Sequence, residues 1–345
     1  MKDFEKYLTE QLHEHPSAEP QDVLKLCYQA AFGAEHLLKD AEKAKQYLQA
    51  EYDAVAAAEI PLYEPVSADV VRVNLAAWKY HGIPVAWLFR MMAHSAAEKQ
   101  GGESLFRELL QKAEPIVPFP AEWKAYMAEY LKGDLSPVHH SENYREKEQP
   151  AYRIIGSHFV PVFPILQKAA AVLGEKEVCV IAIDGRAASG KTTLARRLRN
   201  IMDADVIEMD DFFLLPELRT AERLAQDGGN IHYERFVEEV LPHLSEPAPF
   251  SYRVFSCSVM DFHGEMEIGT PPIRIVEGSY SHHPLFGAYA DIKVFSVVDE
   301  KEQMARILKR NGEQMAEMFR TRWIPMEEQY FAAFAVAEKA DIVMK

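Results

Sequence analysis

Apolar residues recur at helical spacing over most of the chain before Gly174 and in short runs after it. In the segment running from Asp22 to Val55, Val23, Leu24, Leu26, Cys27, Ala30, Ala31 and Ala34 fall near i, i+3, i+4 positions, and Leu37 and Leu38 continue the stripe. The segments Val85–Lys99 and Glu122–Gly133 have the same period. Leu135–Tyr152 is polar and carries prolines near both ends, which predicts an exposed loop. Arg153–Gly174 predicts a last helix, broken near Pro161 and Pro164, that joins the two halves.

From Glu175 onward the short apolar runs alternate with helical sequence. The runs EVCVIAID, ADVIEMDDFF, PPIRIVEG and ADIKVFSVVD each lead into such a segment. Strands and helices alternating at this length predict an α/β domain with a parallel sheet covered by helices on both faces. The expected organisation is a mainly α-helical domain of unknown role over 1–174, followed by an α/β domain over 175–345. A chain of 345 residues is long for one core, since a domain takes about 150 residues, which agrees with two.

Charge and cysteine content narrow the setting. A formal net charge of −15 argues against nucleic acid or an anionic membrane as partner, because both reward basic surfaces. Cys27, Cys179 and Cys257 are odd in number and far apart, so they indicate neither a disulfide framework nor a paired zinc motif. The N-terminal MKDFEKYLTEQL has charges inside its first turn and does not read as a signal peptide. No window approaches the roughly 20 apolar residues that span a bilayer. The expectation is a cytoplasmic protein, with oligomerisation left open.

The most specific chemistry is in VCVIAIDGRAASGKTTLARRL. Gly185 to Thr192 fits G-x-x-x-x-G-K-[ST], with a buried-strand pattern before it and an amphipathic helix after it. Glycines let the chain turn so that successive N–H groups face phosphate oxygens, and the helix N-terminus adds partial positive charge. The expected ATP-binding set is Gly185, Ala188, Ser189, Gly190, Lys191, Thr192 and Thr193. Within it Lys191 supplies a cation for the β and γ phosphates, and the Thr192 hydroxyl is placed for Mg2+.

Residues beyond the loop bear on the chemistry of a bound triphosphate. Asp210 and Asp211 end the second apolar run, at the sheet edge where ligands bind in such folds. A carboxylate there accepts the proton of an attacking hydroxyl or helps hold Mg2+. Glu277 ends the third run and is a second candidate metal ligand with Thr192 and Asp210. His282 and His283 lie close behind it, and adjacent histidines without further ligands make a poor zinc pair, so they are read as polar pocket or loop residues.

The combination DGRAASGKTT, MDDFF, GGNIHYERF, IVEGSY and RNGEQMAEMFRTRWIPMEEQYF resembles the uridine kinase family, within a wider group of P-loop kinases that includes pantothenate kinase and phosphoribulokinase. The resemblance covers about residues 176–345. It implies ATP-dependent transfer of the γ-phosphoryl group to a hydroxyl of a small molecule, most directly a nucleoside. Asp210 would occupy the place of the family's catalytic aspartate, which begins a D-S-F-Y motif, with Asp211 for the serine and Phe213 for the tyrosine. Arg310, Arg320 and Arg322 would be lid arginines that clamp the moving phosphoryl group, with Arg306 behind them. Arg310 would be part of the ATP-binding set, and Arg320 and Arg322 would be catalytic residues with Asp210 and Lys191. Substrate contacts would come from Asp210, Phe213, His232, Tyr233, Arg235 and Tyr252, and Arg253 lies in the same neighbourhood. The chain departs from the family pattern in lacking an acid near Ile231 or His232 for the ribose hydroxyls, and in having Phe213 where the tyrosine hydroxyl would be. Both departures bear on the acceptor, so a sugar, polyol or vitamin precursor stays open beside a nucleoside, as does an ATP-binding sensor.

Nothing comparable marks the first half. Glu35, His36, Arg72, Asn74 and His158 are candidates to converge on a polar pocket that senses a ligand or completes the acceptor site. His81 on its apolar helix is read as structural. His139 and His140, in the predicted loop, are read as solvated.

Overall fold

The computed structural model describes residues 4–34, 40–98 and 102–345. The chain divides into two compact units, Met1–Phe163 and Pro164–Lys345. The first is mostly helical. Its helix Pro20–Phe32 begins with proline in the first turn and a reciprocal capping box between Glu19 and Asp22, and it stops at Gly33. The stripe predicted as one run from Asp22 therefore yields two helices, the second being Ala41–Ala54. Helix Pro20–Phe32 packs against Glu103–Ala113, where Tyr28 meets Phe106 edge-on at 5.6 Å.

Three strands that helical periodicity does not predict also belong to this unit: β1 (Tyr63–Pro65), β2 (Val70–Asn74) and β3 (Tyr152–Gly156), antiparallel in that order. Strand β3 takes the start of the segment predicted as the last helix, because Ile154 and Ile155 bury against β2. The helix itself runs only over Phe163–Leu173, after a 3-10 turn at Ser157–Val162.

The predicted loop Leu135–Tyr152 is also corrected. Ser141 caps a helix, Glu142–Glu148, and His140, Ser141 and Tyr144 are buried. Asp22 explains this. Its carboxylate accepts from the Ser141 amide (3.1 Å) and hydroxyl (2.7 Å) and bonds to His140 Nδ1 (2.7 Å). Burial holds His140 near pKa 4, against the pull of Asp22, so the imidazole is neutral and not solvated.

In the second unit five strands form one parallel sheet: β4 (Cys179–Gly185), β5 (Ala204–Glu208), β8 (Ile273–Glu277), β9 (Ile292–Ser296) and β10 (Ile342–Met344). Their order is β10-β9-β4-β8-β5, so β4 is central. Every residue of β4 and β8 is buried, as expected for strands covered on both faces. Between β5 and β8 the chain makes an antiparallel hairpin, β6 (Phe250–Ser256) and β7 (Asp261–Ile268). The hairpin and β10 add to the four predicted runs. Buried Arg274 of β8 donates to the carbonyls of Leu244 (3.1 Å) and Ala248 (2.7 Å), which ties the segment before the hairpin to the sheet. No helix among the described residues is long and apolar enough to cross a membrane.

Candidate functional site

The chain leaves β4 for β5 at one edge, and returns through β8 and β9 on opposite sides of β4. That change of direction opens a crevice at the carboxyl end of β4, the usual ligand position in open parallel sheets. The glycine loop stands there. Gly185 packs so close to β9 that a Cβ would lie 2.1 Å from the Ser296 carbonyl oxygen, so only glycine fits. Gly190, at φ 105°, opens the helix Lys191–Met202, and a Cβ there would meet nothing within 4 Å. Lys191, Thr192 and Thr193 occupy the first turn, where N–H groups lack an intrahelical acceptor. Ser189 Oγ is buried without a partner among the described residues, and Ala188 holds a left-handed φ of 57°. An open, donor-rich cradle of this kind fits an anion.

Lys191 is folded back onto the loop. Its ammonium donates to the carbonyls of Gly185 (2.7 Å) and Arg186 (2.9 Å) and to Ser279 Oγ (3.3 Å). Glu277 ends β8 beside it and bonds to the Thr192 hydroxyl. Burial pushes the Glu277 carboxyl up to about 7, with Asp210 and Glu208 adding to the rise and Lys191 opposing it. Asp210 sits in the 3-10 turn Met209–Phe212 after β5. Its side chain opens to solvent within the concave site, yet the surrounding protein still raises its pKa by desolvation, against the charges of Lys191 and Arg310. Lys191, Thr192, Asp210, Glu277 and Arg310 are thus one electrostatic group. Among the described residues no three His, Cys, Asp or Glu side chains are arranged to hold a metal by themselves. A hydroxyl with one or two carboxylates is the oxygen set that suits Mg2+ shared with substrate phosphates.

The raised Glu277 carboxyl has a consequence for stability. Its folded pKa of about 7 exceeds the ordinary 4.5, so its contribution is full below pH 4.5 and is lost as pH rises through 7. At about 1.4 kcal/mol per pH unit the loss is roughly 3 kcal/mol. Glu277→Gln is therefore expected to stabilise the metal-free chain at pH 8, and much less at pH 5. Urea unfolding of both proteins at the two pH values checks this, and an equal gap at both would contradict it.

Other expected site residues are placed differently. Arg235 is buried, donates to the main-chain carbonyls of Asp211 and Arg253, and lies over the Phe212 ring at 4.3 Å. Tyr252 is buried and donates its hydroxyl to Asp211 Oδ2 at 2.9 Å. His232 caps the helix Tyr233–Glu239, accepting from the Arg235 amide. The Tyr233 hydroxyl donates to Gln226 at 3.0 Å, and its ring lies under the Arg223 guanidinium at 3.6 Å. Half-buried Phe213 bridges to Ile231. Arg235 and Tyr252 are engaged in holding the segment beside Asp210 through Asp211, while His232 and Tyr233 spend their polar groups on a helix cap and on Gln226.

The arginines also divide. Arg310 bonds to Asn311 and reaches Asp210 electrostatically. Arg320 pairs with Glu317 one turn away, and Arg322 lies over Trp323 at 4.9 Å, both in the exposed π-helical segment Phe319–Trp323. Arg306, expected only behind the others, is the arginine of this group that touches the loop, through the Ala188 carbonyl at 3.0 Å. The helix carrying Arg306 and Arg310 is interrupted at Gly312 (φ 78°).

Sequence reasoning misses three positions. Asp184, fully buried, accepts from the amides of Gly185 (2.7 Å), Tyr280 (3.1 Å) and His282 (3.0 Å) and from the Tyr330 hydroxyl (2.8 Å), fixing the turns after β4 and β8 together. Ser279 and Glu327 complete the loop's support. The only sequence signal for Asp184 is an acid inside an apolar strand. His282 and His283 are buried, and their rings bond to the carbonyls of Ala182 and Asp227.

In the first unit, the described members of the expected polar pocket, Arg72, Asn74 and His158, each have a different partner. Buried Arg72 donates to Gln29 (2.8 and 3.0 Å) and Gln11 (2.7 Å). Asn74 caps helix Leu75–Tyr80, and His158 faces Glu98 at 3.3 Å. Glu35 and His36 lie outside the described residues.

No family model matches the chain, and no curated protein matches it. Among the many solved structures that resemble it are two that each match about half of the chain. One is a possible uridine kinase from Bacillus stearothermophilus, at 17% identity and TM-score 0.39, over 51% of this chain and 95% of that one. The other is a proposed fructose transport system kinase from Silicibacter sp. TM1040, at 20% identity and TM-score 0.42, over 52% of this chain and 98% of that one. At these values neither likeness bears on substrate or activity.

Proposed function

We propose that the second unit is an ATP-dependent phosphotransferase whose acceptor is a hydroxyl of a small molecule. The observation that carries this is the electrostatic grouping of Lys191, Thr192, Asp210, Glu277 and Arg310 at the carboxyl end of the central strand. A pure binding module has no need of a solvent-open carboxylate beside the phosphate lysine.

The loop amides and Lys191 bind and orient the triphosphate. Thr192, Glu277 and Asp210 would hold Mg2+, which when bound would supply neutralising charge to the triphosphate. Asp210 orients the acceptor hydroxyl and takes its proton. Arg310 and Lys191 offset the charge on the three equatorial oxygens of the transferring group.

A nucleoside is the first acceptor to test, from the motif pattern. A sugar, polyol or vitamin precursor is favoured by one observation: Arg235, Tyr252 and His232 spend their polar groups on the protein itself. ADP release from MgATP, measured across nucleosides, sugars and polyols, tests both. Turnover with one class names the acceptor. Tight ATP binding with no acceptor across the panel would overturn the phosphotransferase in favour of a nucleotide sensor.

A further inference from the structure

Glu327 lies 140 residues from the loop in sequence and directly against it in space. It is buried in helix Ile324–Phe334, and both of its oxygens accept hydrogen bonds, Oε2 from the Ala187 amide (2.9 Å) and Oε1 from the Ser279 hydroxyl (2.7 Å). Ser279 Oγ is also the third partner of the Lys191 ammonium. The carboxylate is therefore one hydroxyl away from Lys191, whose charge it feels. The other side of the loop apex is held from helix Glu300–Met318, where buried Gln303 donates to the Ala187 carbonyl (3.0 Å) and Arg306 to that of Ala188.

We infer that Glu327 is a positioning residue that shapes the loop apex through Ala187 and keeps Lys191 docked on the loop until a phosphate-bearing ligand draws it away. This rests on the nucleotide-binding reading above. Two opposed effects arise from its two roles. Its hydrogen bonds pre-form the loop, which favours binding. Burial raises the Glu327 pKa, opposed by Lys191 and by the two hydrogen bonds its oxygens accept. The ionised form competes with phosphate for the same ammonium, which opposes binding. Substitutions that separate shape from charge should shift affinity in opposite directions.

Glu327→Gln keeps the size and an acceptor for Ala187 but removes the charge, and is expected to bind trinitrophenyl-ATP with Mg2+ about fivefold more tightly than the unmodified chain. Glu327→Ala removes both anchors and is expected to bind it about tenfold more weakly. Weaker binding by both variants, as a merely structural role requires, or affinities within twofold of the unmodified chain, would overturn the inference. Failure of the unmodified chain to bind the analogue at all would instead overturn the nucleotide site. Should the variants melt below the assay temperature, the unmodified chain decides through acetic anhydride labelling read by mass spectrometry. Nucleotide-free Lys191 must then react at least tenfold more slowly than exposed Lys339, and equal rates overturn the inference.

Discussion

Lys191→Ala is expected to lower ADP formation from MgATP by at least about 10³-fold while leaving the secondary structure unchanged. The size reflects the side chain's position: it is the cation of the loop that sits within reach of both the loop carbonyls and the carboxylates of Asp210 and Glu277. Preorganised charges of this kind act in a low-dielectric site, where one donor accounts for about 10²–10³ and a phosphate clamp for more. The fold survives because the helix is seated by apolar residues, with Leu194, Leu198, Ile201 and Met202 all buried. The three bonds lost are to the carbonyls of Gly185 and Arg186 and to Ser279 Oγ, and water entering the space the side chain leaves can replace them. ADP release with circular dichroism on the same preparations checks both halves. Undiminished turnover in the variant would remove the mechanism altogether.

How far each feature can be read from sequence depends on the range of the interactions involved. The loop is legible because its chemistry is local: glycine, lysine and threonine act within eight positions, between a strand and a helix that are also contiguous. Strands β4 and β8 are legible because burial on both faces leaves an unbroken apolar run. The hairpin β6–β7 escapes because most of β7 faces solvent and its residues alternate in no clear pattern. Strand β10 escapes because three residues carry no period. Polar burial is the least legible property. His140 looks solvated among Pro137, His139 and Glu142, and is buried only because Asp22 waits 118 residues away. Arg235 and Tyr252 likewise read as free polar groups near a substrate, until the fold shows that Asp211 and the neighbouring carbonyls consume them. Glu327 gives no signal, since a glutamate in a helix is ordinarily a solvated charge.

The adjacent pair Asp210 and Asp211 gives the sharpest test of the proposed chemistry, because the structure separates two residues that composition cannot. Asp210 is open to the site and feels Lys191 and Arg310. Asp211 is committed: its carboxylate accepts from Tyr252, its carbonyl from Arg235, and burial raises its pKa to about 6. A base must reach the hydroxyl proton, so Asp210→Asn is expected to lower kcat by about 10²–10⁴-fold. Nucleotide affinity should stay within about threefold, since the amide keeps the size and removes only one charge. Asp211→Asn should cost less than about tenfold in kcat, because its role is to hold the Tyr252 hydroxyl, and an amide oxygen can still accept that bond. The pH dependence has a defined sign. Desolvation raises the Asp210 pKa, so turnover should rise with pH as the carboxyl loses its proton. In Asp210→Asn that limb should shrink to the part carried by Glu277, while Asp211→Asn should retain all of it. Steady-state kinetics of ADP release from pH 5 to 9 on the three proteins reads all of this. Equal losses in the two variants, or a pH limb unchanged in Asp210→Asn, would move the base to another group.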